Sequence, residues 1–491
     1  MSYKRIRPGY EDSTVMRMKV LTDEQCELIV SSAAKILAHT GIEVQDEAIR
    51  SLLEKAGCTI EDTRVRVPEA VLKDCLEKVP SEIQLYDREG KEAMLIRGYN
   101  TYYGPGLCNT LMVDTETGER RESTKEDAKE VAILCDALKN IDFVYGLVGI
   151  MDCPAIISEI YELSSMLQYT TKPLAGWNNS LEGCQETLDM CVAVAGSLEK
   201  LQEKPFIFMY AGNPVAPFVH PKEYLEKLKF WVERKIPVIY PTGTQLGING
   251  PVTMAGALVS AMVDDLAGVV ITQTLRAGAP FMGNAFGIPL DMRTMHACYG
   301  APEMCLNQVA QADLHHYLAI PTWSIGGCSD SKILDEQATL EVAMTMAFNE
   351  LGGNNLCHDL GFLEGGLIGS KELLVLCDEI AGYLRRIMRG IEFDEESLAL
   401  DLIEELGPGG RYMSEDHTVE NFRDVVRMSD LLDHHRYSAW QASGAKSMGE
   451  RLNDKVKSIL ANHQSKPLDA EVARKLQEVV ERAEKRAAGV C

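Results

Sequence analysis

The chain of 491 residues carries 73 acidic and 49 basic side chains, a formal charge of −24, with 46% hydrophobic and 25% charged residues. That balance suits a folded chain and excludes a general nucleic-acid binder or a protein that docks on anionic membranes, because both need a basic face. Met1 to Tyr10 has charge but no apolar run behind it, so no secretory signal is expected. The apolar stretch Val252 to Leu275 is broken by Asp264 and Asp265 and reads as a buried amphipathic helix rather than a membrane span. The 14 cysteines include no Cys-x-x-Cys and mostly sit singly in helical patterns; they read as reduced thiols of a cytoplasmic protein.

In chain order, residues 1–85 read as an N-terminal helical cap. A helix opens at Thr22, Asp23 and Glu24 and keeps apolar positions at Cys26, Ile29, Val30, Ala33 and Ile36. A second runs from Glu47 to Ala56 and stops at Gly57; a third runs from Pro68 to Val79, with proline in its first turn. From residue 86 to 390 short apolar runs alternate with helical segments. The runs are Thr101–Gly104, Phe143–Ile150, Pro173–Trp177, Pro205–Ala211, Pro237–Gly243, Pro280–Phe286, Pro321–Gly327 and Asn354–Gly361. Helices are expected at 124–139, 155–169, 181–199, 221–234, 252–276, 302–318, 334–352 and 371–389. Eight strand–helix units require crossovers and a parallel sheet, and their number predicts an α/β protein with a (β/α)8 TIM barrel. No Gly-x-Gly-x-x-Gly or Walker sequence supports a nucleotide-binding fold. Residues 391–491 read as a C-terminal helical extension, with helices over 456–461 and 469–486, that packs on the barrel or mediates self-association.

In such a barrel the active site forms where strands pass into the following loops. Those ends are rich in aromatic and uncharged polar groups. Tyr102 belongs to the first strand, Trp177 to the third and Tyr210 to the fourth. Gln245 and Asn249 follow the fifth, Asn284 and Phe286 the sixth, Trp323 lies in the seventh, and His358 and Phe362 end the eighth. Charge is scarce there apart from Asp152, Asp330 and Asp359. This inventory suits a quaternary ammonium, which has no N–H to donate and binds to ring faces at about 0.5–2 kcal/mol per ring. Taken singly, each ring is better explained as barrel filling; their joint placement at several strand ends narrows that gap. The segment Gly243–Gly250, followed by Pro251 and Thr253, reads as a glycine turn into a helix whose free N–H groups hold an anion or simply allow close packing. His296, Cys298 and Cys305, with His315 and His316 further on, match no standard zinc spacing, so no tightly bound metal is expected. No Gly-x-Ser-x-Gly supports a nucleophilic triad.

Several segments together resemble one family. Gly250-Pro-Val-Thr-Met-Ala-Gly256 is similar to a signature of the trimethylamine methyltransferase superfamily, as are Ala301-Pro302-Glu303 and Gly327-Cys-Ser-Asp330 with Lys332 and Asp335-Glu336-Gln337. His358-Asp-Leu-Gly361, His417 to Arg423 and Trp440 extend the resemblance over nearly the whole chain. It implies a barrel enzyme that passes a methyl group from a methylated amine to the Co(I) of a corrinoid (cobalamin) held by a separate partner protein. The founding branch uses pyrrolysine, whereas this chain has only standard residues. That departure points to the branch acting on quaternary amines: glycine betaine, proline betaine, carnitine or γ-butyrobetaine. On this reading Tyr102, Trp177, Tyr210, Phe286, Trp323 and Phe362 hold the cation. Gln245, Asn249, Asn284 and His358 hold a polar tail. His358 and Asp330 are the positioning candidates, and Gly326, Gly327, Ser329 and Asp330 face the corrinoid. The partners expected are the small amine, the corrinoid protein and further copies of the chain. The alternatives are a zinc-dependent thiol or alcohol methyltransferase working with a corrinoid, and a betaine-binding paralogue without catalysis.

Overall fold

The computed structural model describes residues 16–392 and 394–489, a mixed α/β fold in which parallel strands alternate with helices. Each expected strand region carries parallel pairing, and each is followed by a helix near its expected position. The strands are Tyr102–Pro105, Leu174–Trp177, Ile207–Tyr210, Val238–Ile239, Phe281–Met282, Trp323–Ile325 and Leu356–Leu360; the second region is held by single bridges, at Val144 and Val148. The following helices are Lys125–Ala137, Ser158–Tyr169, Leu181–Ala195, Lys222–Glu233, Met254–Leu275, Pro302–Leu318, Glu336–Gly352 and Lys371–Met388.

Pairing passes through these segments in order. Val144 bridges Leu174, and the strand there pairs with Ile207–Tyr210, which pairs with Val238–Ile239 and then Phe281–Met282. Gly283 bridges Thr322, and Trp323–Ile325 pairs with Leu356–Leu360, which pairs back to Tyr102–Pro105. The Asp142 amide donates to the Tyr103 carbonyl at 2.7 Å and the Leu147 amide to the Gly106 carbonyl at 2.7 Å, joining the first segment to the second. Inward-facing residues from alternate positions fill the ring: Phe143, Tyr145, Ala175, Phe208, Ile239, Met282, Trp323 and Leu356 form one buried cluster.

One end of the ring is closed by a hairpin that the sequence reading missed, Ile83–Tyr86 paired antiparallel with Glu92–Ile96. Its Ile83, Leu85, Met94 and Ile96 are buried in the ring cluster. The Tyr86 amide donates to Pro205 and the Arg88 amide to Thr171, just ahead of the fourth and third strands, so the hairpin sits at the N-terminal ends.

The region before it is less helical than expected. Helices Asp23–His39, Glu47–Lys55 and Glu69–Lys78 are present, the first opened by a capping box between Thr22 and Gln25. Strands Ile42–Val44, Thr59–Glu61 and Arg64–Arg66 lie between them, and Ile42–Val44 also pairs in parallel with Val219–His220 from beyond the fourth strand. These helices pack on Met254–Leu275. That contact explains why Met254–Leu275 is apolar on every side instead of amphipathic: its inner face meets the strands and its outer face meets the N-terminal helices. Among the described residues it is the one helix long and apolar enough to cross a membrane, and 78% of its most apolar window is buried inside the fold.

At the other terminus, Met448–Asn462 lies on Lys371–Met388 and Lys125–Ala137, while Ala470–Ala487 lies on Leu181–Ala195 and Ser158–Tyr169. Arg486 clamps Glu186 with two hydrogen bonds, of 3.0 and 2.7 Å. The segment between these helices and the ring is loosely packed, with Ile391, Met413, Met428 and Tyr437 each more than 70% exposed.

Candidate active site

The eighth strand breaks its own pattern at its end. Its register with the first strand slips between Cys357 and Leu360, and Asp359 takes a left-handed backbone with φ 73°. A bulge of this kind redirects side chains that a regular strand would send to opposite faces. Here it brings His358 Nδ1 to 2.6 Å from Asp359 Oδ1, so the Nδ1–H donates to the carboxylate and Nε2 becomes the edge turned away. Gly106 on the first segment permits this, because a Cβ there would stand 2.1 Å from the Phe362 ring and 2.6 Å from Asp359 Oδ1. The His358 ring stacks on Trp323 at 3.9 Å between centroids and 14° between planes.

Trp323 is the centre of an aromatic set. Tyr145 meets it edge-on at 5.7 Å and Phe208 edge-on at 5.9 Å, Phe143 lies tilted to it at 6.1 Å, and Tyr145 stacks on Tyr210 at 6.5 Å. Burial pushes the phenols of Tyr145 and Tyr210 well above their ordinary range, and that of Tyr299 on the sixth connection likewise. These rings therefore stay neutral, with electron-rich faces. Two polar atoms beside them have no hydrogen-bond partner in the protein despite full burial: the Tyr145 hydroxyl and Asn284 Oδ1. Buried polar groups are nearly always paired, so unpaired ones beside an aromatic set make this end the candidate ligand site.

The structure brings some of the expected residues together and disperses others. Trp177, Tyr210, Trp323 and His358 meet at the C-terminal end of the ring, and Phe362 borders it beside Gly106. Asn284 is 2% exposed and donates to the Trp323 carbonyl at 3.1 Å. Tyr102 is a correction. Its hydroxyl is bonded to the Leu95 amide and carbonyl in the hairpin at the closed end, so it cannot reach a ligand at the mouth. Asn249 is tied down within its own loop, accepting from the Gln245 amide and donating to Gly243, and Phe286 packs in a separate cluster with Ile288 and Met304. The helix after that loop begins at Met254, three residues beyond Pro251, and its cap, Thr253, makes no side-chain bond.

Asp330 accepts from the amides of Tyr299 and Gly300 at 3.0 and 2.9 Å, and Ser329 Oγ donates to Glu341 at 2.6 Å. Gly326 is packed against Cys357 and Asn349, and Gly327 has φ 70°. This turn is thus buried scaffolding that fixes the connection carrying Tyr299. Cys328 and Cys357 are buried and their thiols are pushed well above the ordinary range by desolvation, which leaves neither as a nucleophile. An open groove of about 770 Å³ between residues 113–120 and 332–334 lies outside this aromatic set.

The histidines and cysteines considered for a metal have other surroundings. His315 Nε2 lies 3.1 Å from Asp265 and its Nδ1 2.8 Å from the Gln311 carbonyl, while His316 Nε2 meets the Gly353 carbonyl. No group of three His, Cys, Asp or Glu arranged to hold a metal occurs among the described residues.

Three residues escaped the sequence reading: Tyr145, Tyr299 and Glu162. Tyr145 had a signal, the alternation Phe143-Val144-Tyr145 within a strand. Tyr299 and Glu162 lie on a connection and a helix, where no local pattern marks them.

An aromatic mouth on parallel strands, with the motifs above, fits one family, and the chain belongs to it: the trimethylamine methyltransferase (MTTB) family model matches residues 5–488. The protein is a methyltransferase. It is 29% identical over 463 residues to the glycine betaine methyltransferase of Desulfitobacterium hafniense strain Y51, covering 94% of this chain and 96% of that one. It is 28% identical over 468 residues to the trimethylamine methyltransferase MttB of Desulfitobacterium hafniense strain DCB-2, covering 94% and 93%. A solved structure of the Methanosarcina barkeri monomethylamine methyltransferase, 12% identical, aligns over 91% of this chain and 95% of that chain with a TM-score of 0.46.

Proposed function

We propose that this protein demethylates a quaternary amine of the betaine type and passes the methyl group to a corrinoid carried by a partner protein. In this reading the ring of segments is a closed (β/α)8 barrel spanning 86–390, flanked by a cap of 1–85 and an extension of 391–491, and the protein works in the cytoplasm. The observation that carries the proposal is the set of Trp323, Tyr145 and Tyr210, whose neutral rings adjoin buried polar atoms without partners. The likeness to relatives named for glycine betaine and trimethylamine supports it, and the absence of any non-standard residue favours the quaternary substrate.

The rim suits a carrier protein. Met151, Ile248, Val252, Met292, Ile333 and Leu367 come from five of the eight connections and expose 45–63% of their surface, an apolar border of the kind that marks a docking face. The Gly326–Asp330 turn acts on that border from beneath by holding the connection of Tyr299. Reduced cobalt in a corrinoid supplies the nucleophile that accepts a methyl group. The protein's own residues supply position and dryness. Rings from three segments enclose the ammonium and exclude water, and one N-methyl is directed outward. His358, fixed by Asp359 and Trp323, offers Nε2 to the polar tail, with Asn284 beside it. No acid has to protonate the departing amine, because a quaternary ammonium leaves as a neutral tertiary amine. The exposed apolar side chains of 391–437 supply a surface for self-association.

Incubation with cob(I)alamin and a panel of glycine betaine, proline betaine, carnitine, γ-butyrobetaine and trimethylamine tests the proposal. Methylcobalamin should form with at least one quaternary amine. Formation with trimethylamine alone, or with none, overturns it.

A further inference from the structure

Glu162 is the buried acid that the aromatic site does not account for. It lies one turn into the helix Ser158–Tyr169 and is 2% exposed. Its Oε2 accepts the indole N–H of Trp177 at 2.7 Å. Its Oε1 is fully buried and has no hydrogen-bond partner in the protein. The carboxyl fills the space in front of Gly146, where a Cβ would stand 1.4 Å from Oε1, so glycine at 146 is what admits the acid to the end of the second segment. Tyr145, adjacent in sequence, and Trp177, on the third strand, both belong to the aromatic set. A purely structural acceptor for one indole N–H needs no charge, and an amide or hydroxyl would serve; a carboxyl with one oxygen unpaired beside a cation-binding set has a different use.

We propose that Glu162 is the counter-charge of the substrate, its Oε1 meeting the ammonium group while Trp177 holds Oε2. This rests on the amine reading above and assigns the cation a carboxylate partner in addition to the rings. Without a cation, burial keeps the acid protonated, its pKa pushed up to about 8, with Glu159 adding repulsion and the Trp177 bond opposing. The other ionisable groups facing it are Cys108, from the first connection, and Tyr145; burial pushes both up, so they stay neutral over the same range. Glu159, on the same helix, is bonded to the amide and side chain of Asn179. Arrival of a permanent cation favours the carboxylate, so the carboxyl O–H breaks and its proton passes to the buffer. The sign follows: binding at pH 7 releases close to one proton, and affinity rises about tenfold per pH unit up to pH 8, then levels off.

Calorimetry of the wild type with glycine betaine or tetramethylammonium, in two buffers of different ionisation enthalpy, counts that proton without any variant. 3,3-Dimethylbutan-1-ol, a neutral isostere of choline, should bind without proton release. Glu162→Gln keeps an acceptor for Trp177; it should lose the pH dependence and weaken cation binding at pH 8 by tenfold or more, leaving the neutral isostere unaffected. Cation binding without proton release, or unchanged affinity in Glu162→Gln, overturns the role of Glu162 and leaves the amine reading standing. Failure of the wild type to bind any tertiary or quaternary amine overturns both.

Discussion

The two ends of the strand ring are built on opposite plans. At the N-terminal end, the hairpin Ile83–Ile96 closes the ring with aliphatic side chains, and the Tyr102 hydroxyl is paired with Leu95. At the C-terminal end, Tyr145, Asn284 and Glu162 hold unpaired polar atoms, and a strand bulge forces Asp359 into a left-handed backbone. The contrast teaches where stability is made and where it is given up. Unsatisfied buried groups and strained backbone are tolerated where a ligand completes them.

Variants at the two ends sharpen this contrast. The largest expected effect is at the closed end: Leu85→Ala removes a fully buried plug and should lower stability by about 2–5 kcal/mol, read by denaturant unfolding. The KM of the folded fraction should not change. Next, Gly106→Ala drives a methyl into Phe362 and Asp359. Overpacking costs about 1–3 kcal/mol, and here methyl-transfer rate should fall more than thermal stability. A variant that unfolds with full activity in its folded fraction would place Gly106 with the closed end instead. A smaller effect is expected from Tyr210→Leu, which keeps apolar volume but loses one ring face. Substrate affinity should drop by about 0.5–2 kcal/mol, measured by calorimetry, with the unfolding midpoint little changed.

The smallest effect is a pH response at the edge of the mouth. His220, where the fourth connection pairs with the N-terminal strand, is fully buried, and desolvation lowers its pKa to about 3. Its neighbour Asp264 is raised to about 8 by burial and stays protonated throughout the acid range. A depressed histidine contributes stability above its unfolded pKa near 6.5 and loses it as pH falls towards 3. Stability at pH 5.5 should therefore be about 1.3 kcal/mol below that at pH 7 from this residue alone. His220→Phe should remove that increment.

Much of the alternation was legible because it is local. Proline opens five of the eight runs, and apolar periodicity switches from strand to helix after each. The hairpin at 83–96 and the strands at 42–66 were missed for the converse reason. They are short, carry charged residues, and acquire their role only by closing an end or packing beneath a helix. The site divides the same way. Trp177, Tyr210, Trp323 and His358 could be grouped from the sequence because strand ends can be counted along a chain, and the structure places them near one another. Tyr102 opens the first strand and its hydroxyl is bonded to the hairpin, a distinction of a few residues along a strand that only the hairpin's position reveals.

By itself the sequence determined the family and the order of strands and helices. These follow from residue type and period, which are properties of neighbours along the chain. Tertiary structure alone decided which rings meet, that His358 and Asp359 share a face, and that Glu162 reaches the mouth from a helix. Those depend on a bulge and on the absence of a Cβ at Gly106 and Gly146, where packing between distant segments sets the geometry.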